Sequence, residues 1–253
     1  MNIKIIVATH KEYRMPQDEI YVPMQAGRAI SSVELSEYLG DDKGDNISSK
    51  NKNYCELTCL YWAWKNMDAD YIGLSHYRRH FAMNNAKDKW RRIADKKCIE
   101  NLLMENQAVL PKKRDYFIET TYQQYIHAHN KQDLDITQEI LEEFYPMYLS
   151  AYKNVMEDTK GHRFNMMIMR KDVFDSYCQW LFDVLFKLEE RLDITDYSDY
   201  DKRVFGFVSE RLLDVWVKTN NIKYTELSVV NMENQNWLKK GANFIKRKIT
   251  YKG

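Results

Sequence analysis

The sequence predicts an α/β fold, a three-layer α/β/α sandwich around a mostly parallel central sheet, and three observations carry that prediction. Short apolar or β-branched runs at residues 3–8, 71–74 and 164–169 read as buried strands. Amphipathic helical periods alternate with them. A chain of 253 residues that is 44% hydrophobic and 13% aromatic can bury one sizeable core. One domain over residues 1–230 is expected, followed by a basic and aromatic tail over residues 231–253.

The elements follow in chain order. Residues 3–8, IKIIVA, form a first strand that breaks into Thr9, His10 and Lys11, a polar loop at the strand's end. Residues 15–26 contain Pro16 and Pro23 and should be mostly irregular, with a brief strand at residues 20–23. Residues 41–53, DDKGDNISSKNKN, are polar and turn-rich. Tyr54, Leu57, Thr58, Tyr61, Trp62 and Lys65 then recur at helical spacing, so Asn53 is expected to cap a helix ending near Asn66. Asp68-Ala69-Asp70 turns into the strand at residues 71–74, which opens into the polar residues 75–80. A charged amphipathic helix is expected over residues 87–106 and a strand over 108–111, stopped by Pro111. Lys112, Lys113 and Arg114 form a basic loop, and residues 121–149 read as mostly helical with a break at His129-Asn130-Lys131. The strand at 164–169 precedes a long amphipathic helix over 171–192. A helix starting near Ser209 runs to about Thr219, and residues 224–230 form a last strand.

Charge excludes some functions. Lys and Arg number 38 against 37 Asp and Glu, a formal charge of +1, so no global field draws the chain onto nucleic acid. Any anion must be held by a local patch. Cys55, Cys59, Cys98 and Cys178 are scattered; the single C-x3-C pair lacks a second pair at metal-site spacing, and reduced thiols packed on helices are expected. No window approaches the about 18 apolar residues of a membrane span, and no charged leader followed by a long apolar run stands at residues 1–10. A cytoplasmic protein is expected.

In open α/β sheets ligands sit outside the carboxyl ends of the strands. Thr9, His10, residues 75–80 and Arg170 all fall at such ends and can face one crevice. Arg78 and Arg79 offer forked donors suited to phosphate oxygens, and His76 and Tyr77 add single hydrogen bonds. The same arginines equally suit a surface loop in which they pair with Asp68 or Asp70.

The segments IIVATHKEYRMP, IYVPMQAG, DDKGDNISSKNKNYCELTCLYWAWKN, DADYIGLSHYRRHF and FGFVSERLLDVW resemble the signature segments of a bacterial family. That family was long catalogued as a domain of unknown function and occurs in capsular and exopolysaccharide clusters. It is regarded as GT-A-like, and some members are described as galactofuranosyltransferases. The resemblance runs from residue 3 to about residue 230.

The resemblance implies a hexosyltransferase that uses a UDP-sugar donor and a glycan acceptor, polyprenyl-linked or free, in capsule, exopolysaccharide or O-antigen synthesis. It places Ala8, Thr9, His10 and Tyr13 against the nucleoside, with Tyr13 available to stack on uracil. Asp45, Asn46 and Asn53 would approach base or ribose, although their spelling also fits turns and caps. The cluster His76, Tyr77, Arg78 and Arg79 would meet the diphosphate. GT-A enzymes commonly carry Asp-x-Asp at the end of a strand to hold a divalent ion. Here Asp68-Ala69-Asp70 precedes the strand, and four strand residues span roughly 13 Å. Cationic side chains are therefore expected to replace the metal. Manganese or magnesium would be needed if His76 or a carboxylate proved to be a ligand.

Inverting transfer needs a base for the acceptor hydroxyl. The expected base is Glu210, placed in the first turn of a helix capped by Ser209; an ordinary first-turn glutamate is the alternative. Asn165 is expected to bond sugar hydroxyls, and His127, His129 and His162 to shape the acceptor groove. Lysines and aromatics in residues 237–253 suit contact with an anionic membrane surface, at the inner face of the cell membrane. A non-catalytic carbohydrate-binding protein and a nucleotide-sugar hydrolase are the competing readings. UDP titration separates the first, and product analysis with and without acceptor the second.

Overall fold

A computed structural model describes residues 1–233, so the tail segment 237–253 lies outside the described residues. The chain opens with β1 (Ile3–Thr9), joined in parallel by β2 (Tyr21–Gln25), which in turn pairs in parallel with β3 (Leu39–Gly40). Helices α1 (Asn51–Tyr54) and α2 (Leu57–Asn66) lead back to β4 (Tyr71–His76), parallel to β1 on its other side. Tyr77 and Arg78 turn the chain into β5 (Arg79–Ala82). After α3 (Lys96–Leu103) come β6 (Ala108–Pro111) and the short β7 (Arg114–Asp115). Helices α4 (Thr121–Ile126), α5 (Lys131–Phe144) and α6 (Leu149–Glu157) form a block ending at β8 (Lys160–Gly161), which pairs with β7. β9 (Met167–Arg170), α7 (Lys171–Arg191), α8 (Val204–Thr219) and β10 (Tyr224–Asn231) follow.

Side chains alternate across the sheet as strand geometry requires. Ile6, Ala8, Ile72 and Leu74 point into the larger apolar cluster, shared with residues of α2, α7 and α8. Ile5, Val7, Val109 and Ile168 point into a smaller one on the other face, closed by Ile99 and Leu103 of α3. Helices therefore cover both faces of a central sheet. Gly73 of β4 lies opposite Ile168 of β9, and an added Cβ would stand 2.8 Å from the Met167 carbonyl, so only glycine fits there.

The sheet is mixed rather than mostly parallel. Among the described residues four of its eight pairings are antiparallel: β4 with β5, β4 with β9, β6 with β9 and β5 with β10. The polar run at 75–80 concealed the reason, because it is a hairpin and not a loop: a two-residue connection joins only antiparallel strands. β9 enters from the far end after the α4–α6 block. Arg170 consequently lies opposite Tyr71 at the start of β4, away from the ends of β1 and β4, and pairs with Asp172 at 2.6 Å.

Four helix and strand boundaries also differ from expectation. Asn53 caps no helix; it lies inside α1 and its side chain donates to the Lys202 carbonyl, while Cys55 at φ 52° breaks α1 from α2. The helix expected over 87–106 shortens to α3, because Asp95 caps it by accepting from the Cys98 N–H. The strand expected from 164 begins at Met167, since Phe164 and Asn165 both take positive φ (78° and 52°). Ser209 is no N-cap: α8 starts at Val204, where buried Val204, Phe205 and Val208 outweigh the poor helix propensity of Gly206.

His80, fully buried in β5, is held well below its ordinary value, at about 4, by burial first and by neighbouring His76 second. The unfolded chain thus binds more protons than the folded one between its value of 6.5 and about 4. This contribution is complete above the unfolded value and is lost as pH falls through that window. Urea unfolding of native and His80→Phe protein should show a shallower acid loss in the variant, and an unchanged slope would contradict the assignment.

Candidate functional site

The C-terminal ends of β1 and β4 open onto a pocket of about 620 Å³. Ala8 and His76 are register partners in the paired strands, so Ala8, Thr9 and His10 reach the same wall as His76, Tyr77, Arg78 and Arg79. Tyr77 makes an aromatic corner there, edge-on to His10 at 5.3 Å and to Tyr13 at 5.0 Å. Tyr13 stands one layer back, in a recess shared with Tyr38. Burial first, and then the charges of Arg78, Lys11 and Arg203, push the His10 pKa down.

The two adjacent arginines are not equivalent. Arg78 is 43% exposed, lies over the Tyr77 ring and pairs with Glu233 at 3.3 Å. Arg79 turns inward with its Cζ 4.5 Å from the centre of the Phe164 ring, and its guanidinium makes no hydrogen bond or ion pair with another described residue. Burial and the nearby Arg78 lower its pKa, so the site holds a desolvated cation without a paired anion. Arg211 adds a second buried Nε without a partner, although its Nη1 and Nη2 bond Glu210 and Gln124. Arg203 donates through Nε to Cys55 Sγ at 3.2 Å, and its terminal nitrogens have no described partner. Lys52 lines the same cavity.

Two carboxylates face these cations. Glu210 lies in the second turn of α8; one oxygen accepts from the Phe164 N–H and the other from Arg211, both at 3.0 Å. Glu56, which sequence reasoning missed, accepts from Asn165 Nδ2 at 2.8 Å, and its other oxygen has no described partner. Its placement depends on the break at Cys55, whose carbonyl accepts from Asn51 Nδ2 and Thr58 Oγ1 nearby in the chain and which Gly206 and Arg203 of the distant α8 region contact from the other side. Burial and Glu56 push the Cys55 thiol up to about 11.

Asn165 itself lies behind the pocket wall, where Glu56, the Gly206 carbonyl and Ser209 Oγ satisfy its amide completely. His129 lines the pocket as part of an aromatic stack with Phe207 at 4.1 Å and Tyr200 at 5.7 Å. His127 does not line it and pairs with Glu119 at 2.8 Å. His162 is fully buried between Asp214 and Glu226. Asp45 accepts from Tyr61 and Asn46 donates to the Asp42 and Gly44 carbonyls, which keeps that loop on α2 and outside the cavity. The neighbours Asn51 and Lys52 line the pocket where Asn53 does not.

Among the described residues no group of three or more His, Cys, Asp and Glu side chains converges on one point. Asp70 is at the opposite end of β4, accepting from the Asn2 N–H, and His76 Nε2 is engaged by the Phe164 carbonyl. Burial first, with Arg79 acting in the same direction and Glu56 opposing, lowers the His76 pKa.

No helix among the described residues is long and apolar enough to cross a membrane. No curated protein sequence matches the chain significantly. Among solved structures, the apo form of WbbM, a bifunctional glycosyltransferase, superimposes with a TM-score of 0.85 at 31% identity. The match covers 92% of this chain but 46% of that one, so the chain spans less than half the length of WbbM. Residues 4–221 match the family described as Domain of unknown function (DUF4422), and the chain belongs to that family.

Proposed function

We propose that the chain is a GT-A-like, inverting glycosyltransferase that moves a hexose, galactofuranose included, from a UDP-sugar to a glycan acceptor of capsule, exopolysaccharide or O-antigen. The observation that carries this reading is the unpaired, desolvated guanidinium of Arg79 at the carboxyl end of β4, beside Arg78 and Arg203. Such a cavity is complementary to a pyrophosphate. The parallel run β3-β2-β1-β4, flanked by antiparallel β9, and the likeness to a bifunctional glycosyltransferase support the same conclusion.

In the proposed reaction the acceptor oxygen bonds the anomeric carbon while the bond from that carbon to phosphate breaks. Its electron pair leaves with UDP. Arg79, Arg78 and Arg203 compensate the charge that develops on the diphosphate. Glu210, on α8, takes the acceptor hydroxyl proton, and Glu56 accepts a hydrogen bond from a donor-sugar hydroxyl. The Tyr200, Phe207 and His129 stack forms the acceptor side. The Tyr77 corner, with His10 and Tyr13, takes the nucleoside.

Four outcomes are expected. Arg79→Ala should weaken UDP binding by about 10- to 100-fold in isothermal titration, the worth of charged hydrogen bonds of roughly 1.5–3 kcal/mol; native-like affinity would remove the diphosphate site. Glu210→Gln should lose transfer by at least about 100-fold with UDP affinity retained, whereas Glu56→Gln should mainly raise the donor KM. Turnover should persist in EDTA. Loss in EDTA that manganese restores would contradict charge compensation by arginine alone.

A further inference from the structure

The segment between β6 and α4 displays apolar side chains to solvent in a way that packing does not explain. Phe117 is 82% exposed and Ile118 63% exposed. Phe117 also takes φ 58°, a left-handed conformation that a bulky residue rarely adopts. Two local hydrogen bonds hold it there: the Phe117 N–H donates to Asp115 Oδ1 at 2.8 Å and the Ile118 N–H to the Tyr116 carbonyl at 2.6 Å. A strained backbone that pushes a phenylalanine outward is the reverse of what folding alone favours.

Basic residues predominate at this tip. Lys112, Lys113 and Arg114 precede it and are exposed, and Lys160 faces it from β8, 57% exposed. Asp115 is already paired with Lys160 at 3.3 Å, and Glu119 is buried against His127. The tip also adjoins the pocket: Tyr116 is one of its lining residues, with Arg114 Cζ 5.5 Å from the ring centre.

We propose that residues 112–118 are a membrane-surface contact, in which Phe117 and Ile118 enter the headgroup layer of an anionic bilayer while Lys112, Lys113 and Arg114 meet its phosphates. Apolar area and basic charge act together at such surfaces, and neither suffices alone in a patch this small. The contact turns the mouth of the pocket toward the bilayer. It does not depend on which reaction the pocket performs.

Cosedimentation of the full chain with vesicles tests it. The native protein should pellet with phosphatidylglycerol-containing vesicles and stay in solution with phosphatidylcholine alone. Each basic residue near an anionic surface is worth about fivefold in partitioning. Lys112→Glu/Lys113→Glu and Phe117→Ser/Ile118→Ser should each lower binding by at least about tenfold, with melting temperature and UDP affinity unchanged. Native-like pelleting of both variants would overturn the proposal by assigning the contact to another segment. So would absence of native binding to anionic vesicles, or concentration-dependent self-association that Phe117→Ser abolishes, which would make a second copy the occupant.

Discussion

The site depends on one clamped turn, residues 162–165. His162 is fixed to Asp214 of α8 through both its N–H and its ring, and Arg163 reaches the Tyr116 and Thr121 hydroxyls. Phe164 donates its N–H to Glu210 and accepts from His76, while Asn165 binds Glu56, Gly206 and Ser209. Four consecutive residues thereby tie β4, α2, α4 and α8 around a single cavity. Two of them hold positive φ, a cost that this number of bonds sustains. His76, Glu56 and Glu210 are held directly by that turn, and Arg211 through Glu210.

Within the frame so made, cations outnumber carboxylates. Glu56 and Glu210 are the two lining carboxylates, set against Lys52, Arg78, Arg79, Arg203 and Arg211. Leaving a desolvated guanidinium unpaired costs stability in the empty protein. The same desolvation strengthens its attraction to an incoming anion, because fewer waters screen the pair. Function explains the imbalance better than packing does.

Much of the scaffold was legible in the sequence because continuous apolar runs leave little choice. Residues 3–8, 71–74, 108–111 and 224–230 are strands in the structure, and the long helix over 171–192 is α7 with one residue fewer. What escaped was decided by tertiary contacts. The second half of YIGLSHYRRHF reads as polar, yet His80 and Phe81 are fully buried in β5 against β10. Glu56 has the spacing of an ordinary helix residue, and only the break at Cys55 turns it to the pocket. The start of α8 was hidden by Gly206, which packs against Cys55. Of the residues expected to bind ligand, those at strand ends share the cavity because adjacent parallel strands bring their ends together. Those assigned on long loops or on helices far along the chain, such as Asp45, Asn46, His127 and His162, had no such constraint and lie elsewhere.

A structure of the protein with UDP bound bears most directly on the role of the buried cations. Arginine compensation requires the pyrophosphate oxygens within hydrogen-bonding distance of the Arg79 and Arg203 guanidinium groups, with the uracil at the Tyr77 corner. UDP seated elsewhere, with Arg79 still unpaired beneath Phe164, would contradict it.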